Sequence, residues 1–219
     1  MPRAAAPDTR ERLIDAARYL FWEKGYAATG LAEILSRAQA NSGSFYHFFE
    51  SKDALLRTVL ETYVDALEPL VLAPVRATAR GPIDEVLGLL ASYRERLLTT
   101  DCTYGCPTGR LALEIDPENT PAHALISRNF DAWTTAVADA LGRALVPAPD
   151  DVAVYVLTVM EGAVMQARVH RSVKWFDICI RQLEQHLATL TQGAASRSGG
   201  QRRARRRSPS RVPSRRSPR

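Results

Sequence analysis

Apolar residues recur at three- and four-residue intervals along most of this chain, the spacing that gathers side chains on one face of an α-helix. Leu13, Ile14, Ala17, Leu20 and Phe21 form the first such series. Asp8 precedes it and Glu11 follows three positions later, a pairing that satisfies two backbone N–H groups at a helix start. Gly25 stands where a helix end favours glycine. Thr29 is placed to cap a short second helix that turns Leu31, Ile34 and Leu35 inward. "AQAN" then breaks the periodicity, and Asn41 caps a third helix of about seven residues.

That third segment, "NSGSFYHFFESKDAL", is crowded with aromatic residues. On a helix Phe45, Phe48 and Phe49 share one arc at i, i+3 and i+4, and Gly43, Ser44, Tyr46 and His47 fall outside it. A strand would mix polar and apolar residues on both faces. So short a helix is marginal in water by itself, so the three phenylalanines are expected to anchor it to its neighbours. Its outer face is left for a partner.

Ser51 caps a longer helix, with Lys52 and Asp53 in its first turn, running to about residue 67. Pro69, Pro74 and the pair Gly81-Pro82 punctuate a linker. Helices are then expected over residues 83–100, over 107–115 with Pro107 in a first helical position, and over 121–145. Two more follow over 152–172 and 175–191. No convincing run of strands appears, so the fold class is all-α: a three-helix N-terminal unit followed by a larger helical domain.

Composition alters this picture at the C-terminal end. Residues 193–219 hold ten arginines and no acid. Removing those ten charges from the formal net charge of +5 leaves −5 on residues 1–192. The basic character thus belongs to the tail, which reads as disordered and as an electrostatic arm for nucleic acid. The division is 1–56 for the N-terminal unit, 57–192 for the second domain and 193–219 for the tail. Apolar residues at 46% fit a globular protein. The longest strongly apolar uncharged stretch, residues 152–160, is too short to span a bilayer, and no membrane association is expected. Residues 1–8 show no secretory pattern, and three cysteines suit a reducing cytoplasm better than a disulfide scaffold.

The stretch "GYAATGLAEILSRAQANSGSFYHFFESKDALL" closely resembles the DNA-binding domain of the TetR family of bacterial transcriptional regulators. Gly25, Tyr26, Thr29, Ile34, Gly43 to Phe49, Ser51 to Asp53 and Leu55 match the family pattern. Gln39 departs from it where the turn usually has glycine, and Glu50 replaces a common proline. The resemblance implies a helix-turn-helix in which Thr29, Ser44, Tyr46 and Lys52 touch the DNA backbone while Ser42, Gly43 and His47 lie near base edges. The physics agrees: a helix in the major groove needs small residues for close approach and polar groups for phosphates and bases. Each position also has an ordinary reading, Thr29 as a cap, Tyr46 as a half-buried tyrosine, Lys52 as partner of Asp53 or Glu50.

Beyond about residue 60 one signal remains. "GCPTGRLALE", Gly105 to Glu114, looks like the corresponding stretch in the LmrA- and YxaF-like branch of the family. The resemblance implies a homodimer, joined through the last two helices and reading a palindromic operator on double-stranded DNA, with a small-molecule effector in the second domain. Val156, Met160, Val164, Ile178, Leu183 and Leu187 offer apolar surface for the dimer. Tyr63, Tyr93, Tyr104, Cys106, Trp133 and Met160 are the candidate ligand-binding residues, each with plain core packing as its alternative. Glu114 reads as a surface acid or a salt-bridge partner.

The function expected is therefore a ligand-released, homodimeric repressor in the cytoplasm, without enzymatic activity, cofactor or metal. Alternatives are a thiol-responsive regulator using Cys102 and Cys106, and a non-specific nucleic-acid binder led by the tail. A cysteine oxidoreductase is disfavoured, because no thioredoxin-like βαβ pattern or nucleophile–base set is visible. One CxxxC with scattered histidines does not make a zinc site.

Overall fold

The first helix begins where its capping pair dictates. The Asp8 side chain accepts from the Glu11 N–H at 2.8 Å, and Glu11 accepts from the Asp8 N–H at 3.3 Å, opening α1 (Thr9–Lys24). The computed structural model describes the backbone of residues 8–206 and the side chains of residues 8–193. α1 ends at Gly25 with φ 91°, a conformation that L side chains rarely adopt. A Cβ there would also lie 2.0 Å from a Glu114 oxygen.

α2 (Leu31–Ala38) starts from Gly30, not from Thr29. Thr29 is buried, and its hydroxyl donates to the carbonyls of Gly25 at 2.6 Å and Leu20 at 3.3 Å, so it ties α1 to the turn instead of capping α2. The chain leaves α2 through Gln39 in the left-handed region, φ 51° and ψ 46°. α3 (Ser42–Phe48) is capped as expected, the Asn41 side chain accepting from the Ser44 N–H at 2.8 Å.

Two phenylalanines anchor α3, not three. Phe45 is fully buried and Phe49 nearly so, whereas Phe48 is 39% exposed and meets the His47 ring edge-on. The helix stops at Phe48, and the extended backbone of Phe49 (φ −136°, ψ 121°) swings that ring inward while Phe48 stays outside.

α4 (Lys52–Leu67) starts at Ser51, which accepts from the Ala54 N–H at 3.0 Å. The linker expected at Pro69 and Pro74 is absent. The helix widens instead into a π-turn, Glu68–Leu72, and continues as α5 (Ala73–Thr78). Proline has no N–H to donate, and in the wider turn the Ala73 N–H reaches back five residues to the Glu68 carbonyl. The remaining elements are α6 (Pro82–Thr99), α7 (Pro107–Glu114), α8 (Thr120–Arg143), α9 (Pro149–His170) and α10 (Lys174–Arg206), and no strand occurs among the described residues. α10 passes the end expected near Thr191, so residues 193–206 are helical where their composition suggested disorder. Alanine and arginine favour helix, and lengthening an existing helix needs no new nucleus. Residues 207–219 lie outside the described residues.

Two apolar clusters result. One joins α1–α4 to Leu111 and Ile115 at the end of α7 and to Ala122 and Ile126 of α8. The other fills the space among α6, α8, α9 and α10. A boundary at residue 56 cuts through the first cluster, since α4 contributes Leu55 and Leu56 on one side and Val59 and Leu60 on the other.

α9 is long and apolar enough to cross a membrane by length and composition, which the nine-residue run read from the sequence does not convey. In the fold it has two apolar sides. Val156, Met160 and Val164, expected on a partner-facing surface, are buried in the chain's own core, as are Leu183 and Leu187 of α10. The exposed apolar residues are Val154, Tyr155, Met165 and Val169 on α9, with Trp175 and Ile178 on α10.

The left-handed Gln39 carries a backbone cost that glycine does not. Gln39→Gly is expected to stabilise the chain by about 0.5 kcal/mol, the relief of about 1 kcal/mol being partly offset by a more flexible unfolded state. Thermal melts of the two proteins check the sign.

Candidate nucleic-acid interface and ligand cavity

α3 presents its polar side outward. Ser42, Gly43, Tyr46 and His47 are exposed, Tyr46 at 60%, and Ser44 is half-buried. Only the Asn41 side chain approaches the place a Gly43 Cβ would take, at 3.3 Å. Packing within the chain therefore gives little reason for glycine here, while close approach by an outside surface gives a good one. Arg10 of α1 stands beside this patch, its guanidinium 5.6 Å from the Phe49 ring centroid. Sequence reasoning missed Arg10, because it belongs to α1 and only the fold brings it to the end of α3.

Thr29 and Lys52 serve this face from within. Lys52 donates to the carbonyls of Tyr26 and Thr29, both at 2.9 Å, with its ammonium 4.1 Å from the Tyr26 ring centroid. Burial lowers its pKa. Two of its three N–H donors are thus engaged in fastening the α1–α2 turn onto the start of α4. Asp53 pairs with Arg57 and accepts from the Asn119 amide at 2.6 Å, which fixes the same helix end to the start of α8.

The stretch Gly105–Glu114 makes contact between the two halves. The Trp22 indole of α1 donates to the Gly105 carbonyl at 2.7 Å. Cys106 caps α7, its sulfur accepting from the Gly109 N–H at 3.3 Å. At the other end Glu114 accepts from Arg110 at 3.0 Å and from the Ala27 N–H at 3.3 Å, so this carboxylate sits against the turn that follows α1. Glu114 is a contact between the halves, beyond the surface or salt-bridge role read from the sequence.

A cavity of about 350 Å³ opens between α1, α4, α6, α7 and α8. Of the expected ligand-binding residues, Tyr63, Tyr93 and Trp133 line it. Cys106 and Met160 do not; they lie one layer deeper around a small void shared with Tyr93, Trp133 and Glu161. Tyr104 is elsewhere, its ring on Trp22 at 4.8 Å and its hydroxyl near Tyr19 and Glu23. No motif or spacing pointed to the α1 contribution, Asp15, Arg18, Tyr19 and Trp22. These residues belong to the N-terminal unit in sequence and to the cavity wall in space.

Burial favours the thiol form at both Cys106 and Cys102. Burial pushes Cys106 up to about 12. Burial also raises Cys102, outweighing the nearby Arg171. A reactive cysteine needs the opposite, a partly exposed site that stabilises the thiolate. Among the described residues no group of His, Cys, Asp and Glu suits a metal ion.

Residues 13–59 match the bacterial regulatory proteins of the tetR family, and residues 82–182 match the C-terminal domain of LmrA/YxaF-like transcriptional regulators. An uncharacterized HTH-type transcriptional regulator of Mycobacterium tuberculosis is 32% identical over 182 residues, covering 80% of this chain and 91% of the relative. The HTH-type transcriptional repressor DhaR of Mycobacterium sp. (strain GP1) is 23% identical over 203 residues, 89% of this chain and all (100%) of that protein. The crystal structure of regulatory protein TetR from Rhodobacter sphaeroides shares the fold with a TM-score of 0.74 at 24% identity, over 81% of this chain and 98% of that one. With a helix-turn-helix of this geometry and these relatives, the chain belongs to the TetR family of bacterial transcriptional regulators.

Proposed function

We propose that this regulator is a homodimeric repressor that holds a palindromic operator through two copies of α3 and is released by a small molecule bound in the cavity. The observation that carries the reading is the position of α1. One side of this helix packs under α2 and α3, and residues on another side wall the cavity. A ligand there touches the DNA-reading unit directly. Relatives named as repressors, DhaR among them, favour repression over activation.

Ser42, Gly43, Tyr46 and His47 form the DNA-facing set, with Ser44 at its edge, and Thr29 and Lys52 hold the face in shape. The dimer joins through the exposed apolar stripe of α9 and α10, where Met165 and Val169 lie one helical turn apart. Two heads on a two-fold axis read half-sites about one helical turn of DNA apart.

Footprinting upstream of the chain's own gene and its neighbours is expected to give a two-fold symmetric site; protection that lacks this symmetry overturns the dimeric reading. On that site Tyr46→Phe should weaken binding to all sequences alike, by about tenfold or less. His47→Ala should change preference at one base pair in each half-site. Neither effect appearing, with both variants folded, removes α3 as the reading helix. Lys52→Ala loses two hydrogen bonds from a charged donor and should cost about 2 kcal/mol of stability. This is measured by denaturant melts, with little change in the salt dependence of binding by the protein that remains folded.

The interface has its own test. Met165→Glu combined with Val169→Glu should turn a dimer into a monomer in sedimentation at micromolar concentration, with helix content unchanged. Operator affinity should fall by more than about tenfold. A variant that remains dimeric places the interface elsewhere.

A further inference from the structure

Three polar side chains around the cavity make no hydrogen bond or ion pair among the described residues. Thr108 of α7 and Asn129 of α8 are both at least 95% buried, with relative exposures of 3% and 5%. Both line the cavity, and neither side chain has a hydrogen-bonding partner among the described residues. Every fully enclosed side-chain polar atom is satisfied among the described residues, so the polar atoms of these two face open space, Thr108 the cavity and Asn129 the cavity and the small void behind it. The third group is Arg96 of α6. Its guanidinium lies 5.9 Å from the Trp22 ring centroid and 5.7 Å from that of Tyr93, and no described carboxylate lies within ion-pair distance of it. Arg18, also on the wall, is different, since Asp15 neutralises it at 2.8 Å. The cavity therefore carries one uncompensated positive charge at its rim and two uncommitted polar groups deeper in. Glu161 lies behind the wall against Cys106 and does not line this space.

The apolar part of the lining combines aromatic rings with an aliphatic side made by Leu67, Leu70 and Val71. Trp22, Tyr63 and Trp133 line one compartment, and its volume of about 350 Å³ is near the lower end for small-molecule sites. That favours one or two rings over a large flexible chain. Aromatic rings stack offset or edge-on with one another, and a planar guest meets them without losing rotatable bonds. An unpaired guanidinium at the edge of an apolar site favours a carboxylate, with which it makes two parallel hydrogen bonds.

We propose that the cavity binds a planar aromatic acid, its ring system among Trp22, Tyr63 and Trp133, its carboxylate at Arg96, and a ring hydroxyl or carbonyl on Asn129 and Thr108. This deepens the proposed function by naming the chemistry of the effector, and it rests on that reading only for the effect on DNA.

Calorimetric titration of the full chain with para-coumarate, its methyl ester and cinnamate separates the contributions. para-Coumarate is expected to bind at least about tenfold more tightly than its ester. Arg96→Gln should erase this difference and Arg96→Lys should keep only part of it, because lysine retains the charge without the planar fork. Arg96 is exposed, so both variants should melt like the parent. Asn129→Ala should weaken para-coumarate about fivefold and leave cinnamate, which lacks the ring hydroxyl, unchanged. Equal binding of acid and ester, a preference that survives Arg96→Gln, or no binding of either acid up to about 1 mM overturns the proposal. Acid-selective binding that leaves operator affinity unmoved supports the ligand class and overturns instead its role as effector.

Discussion

Helix α1 is held on two sides at once, and the architecture follows from that. Leu13, Ala17, Leu20 and Phe21 face the core shared with α2, α3 and α4. Tyr19 and Trp22 face the cavity, and the Trp22 indole is fastened to the Gly105 carbonyl. A sixteen-residue helix committed on two sides cannot shift toward one without changing the other. Its far end is constrained as well, because the chain turns at Gly25 directly beneath the Glu114 carboxylate. Any larger residue at position 25 meets both a strained backbone angle and an occupied space. The glycine of the family pattern thus has a concrete cause here: the N-terminal unit and α7 meet at that point.

Local chemistry made much of the fold legible from the sequence. Capping pairs such as Asp8 with Glu11, and single caps such as Asn41 and Ser51, fix helix starts because the groups involved lie within three residues of one another. What the sequence could not disclose depends on distant partners. Thr29 has the chemistry of a cap, but its hydroxyl is taken by carbonyls of the preceding helix, and Gly30 occupies the cap position. Phe48 shares a helical arc with Phe45 and leaves the core only because the helix ends there. Pro69 and Pro74 read as breakers, and the chain absorbs them in one wide turn. In α9 both sides are apolar, so periodicity alone does not distinguish residues of the chain's own core from those left exposed.

The same distinction runs through the site. The outward positions of α3 follow from angular spacing, and the structure exposes Tyr46 and His47 accordingly. The cavity is assembled from five helices, and its polar groups are isolated residues with no motif around them. Asn129 in the middle of α8 looks like any other helical asparagine until burial and the lack of a partner single it out. The CxxxC pair shows the reverse, a spacing with an apparent message. Cys106 is a helix cap packed against Tyr93, and its role in the structure is accounted for by that contact and by the Gly109 N–H.

On the function proposed above, a modest energy suffices to connect the cavity with DNA. A tenfold loss of operator affinity corresponds to about 1.4 kcal/mol, and a ligand can supply only the difference between its affinities for two arrangements. The contacts that tie the N-terminal unit to the second domain include Trp22 to Gly105, Ala27 to Glu114 and Asn119 to Asp53. Each such hydrogen bond is worth about 0.5–1.5 kcal/mol net. Loosening one or two of them therefore matches the energy required, with no large domain rearrangement. In a two-fold assembly the shift of each head adds to that of its mate in the spacing between them. On the proposed reading, an operator with half-sites at a fixed distance senses twice the displacement that a single cavity produces.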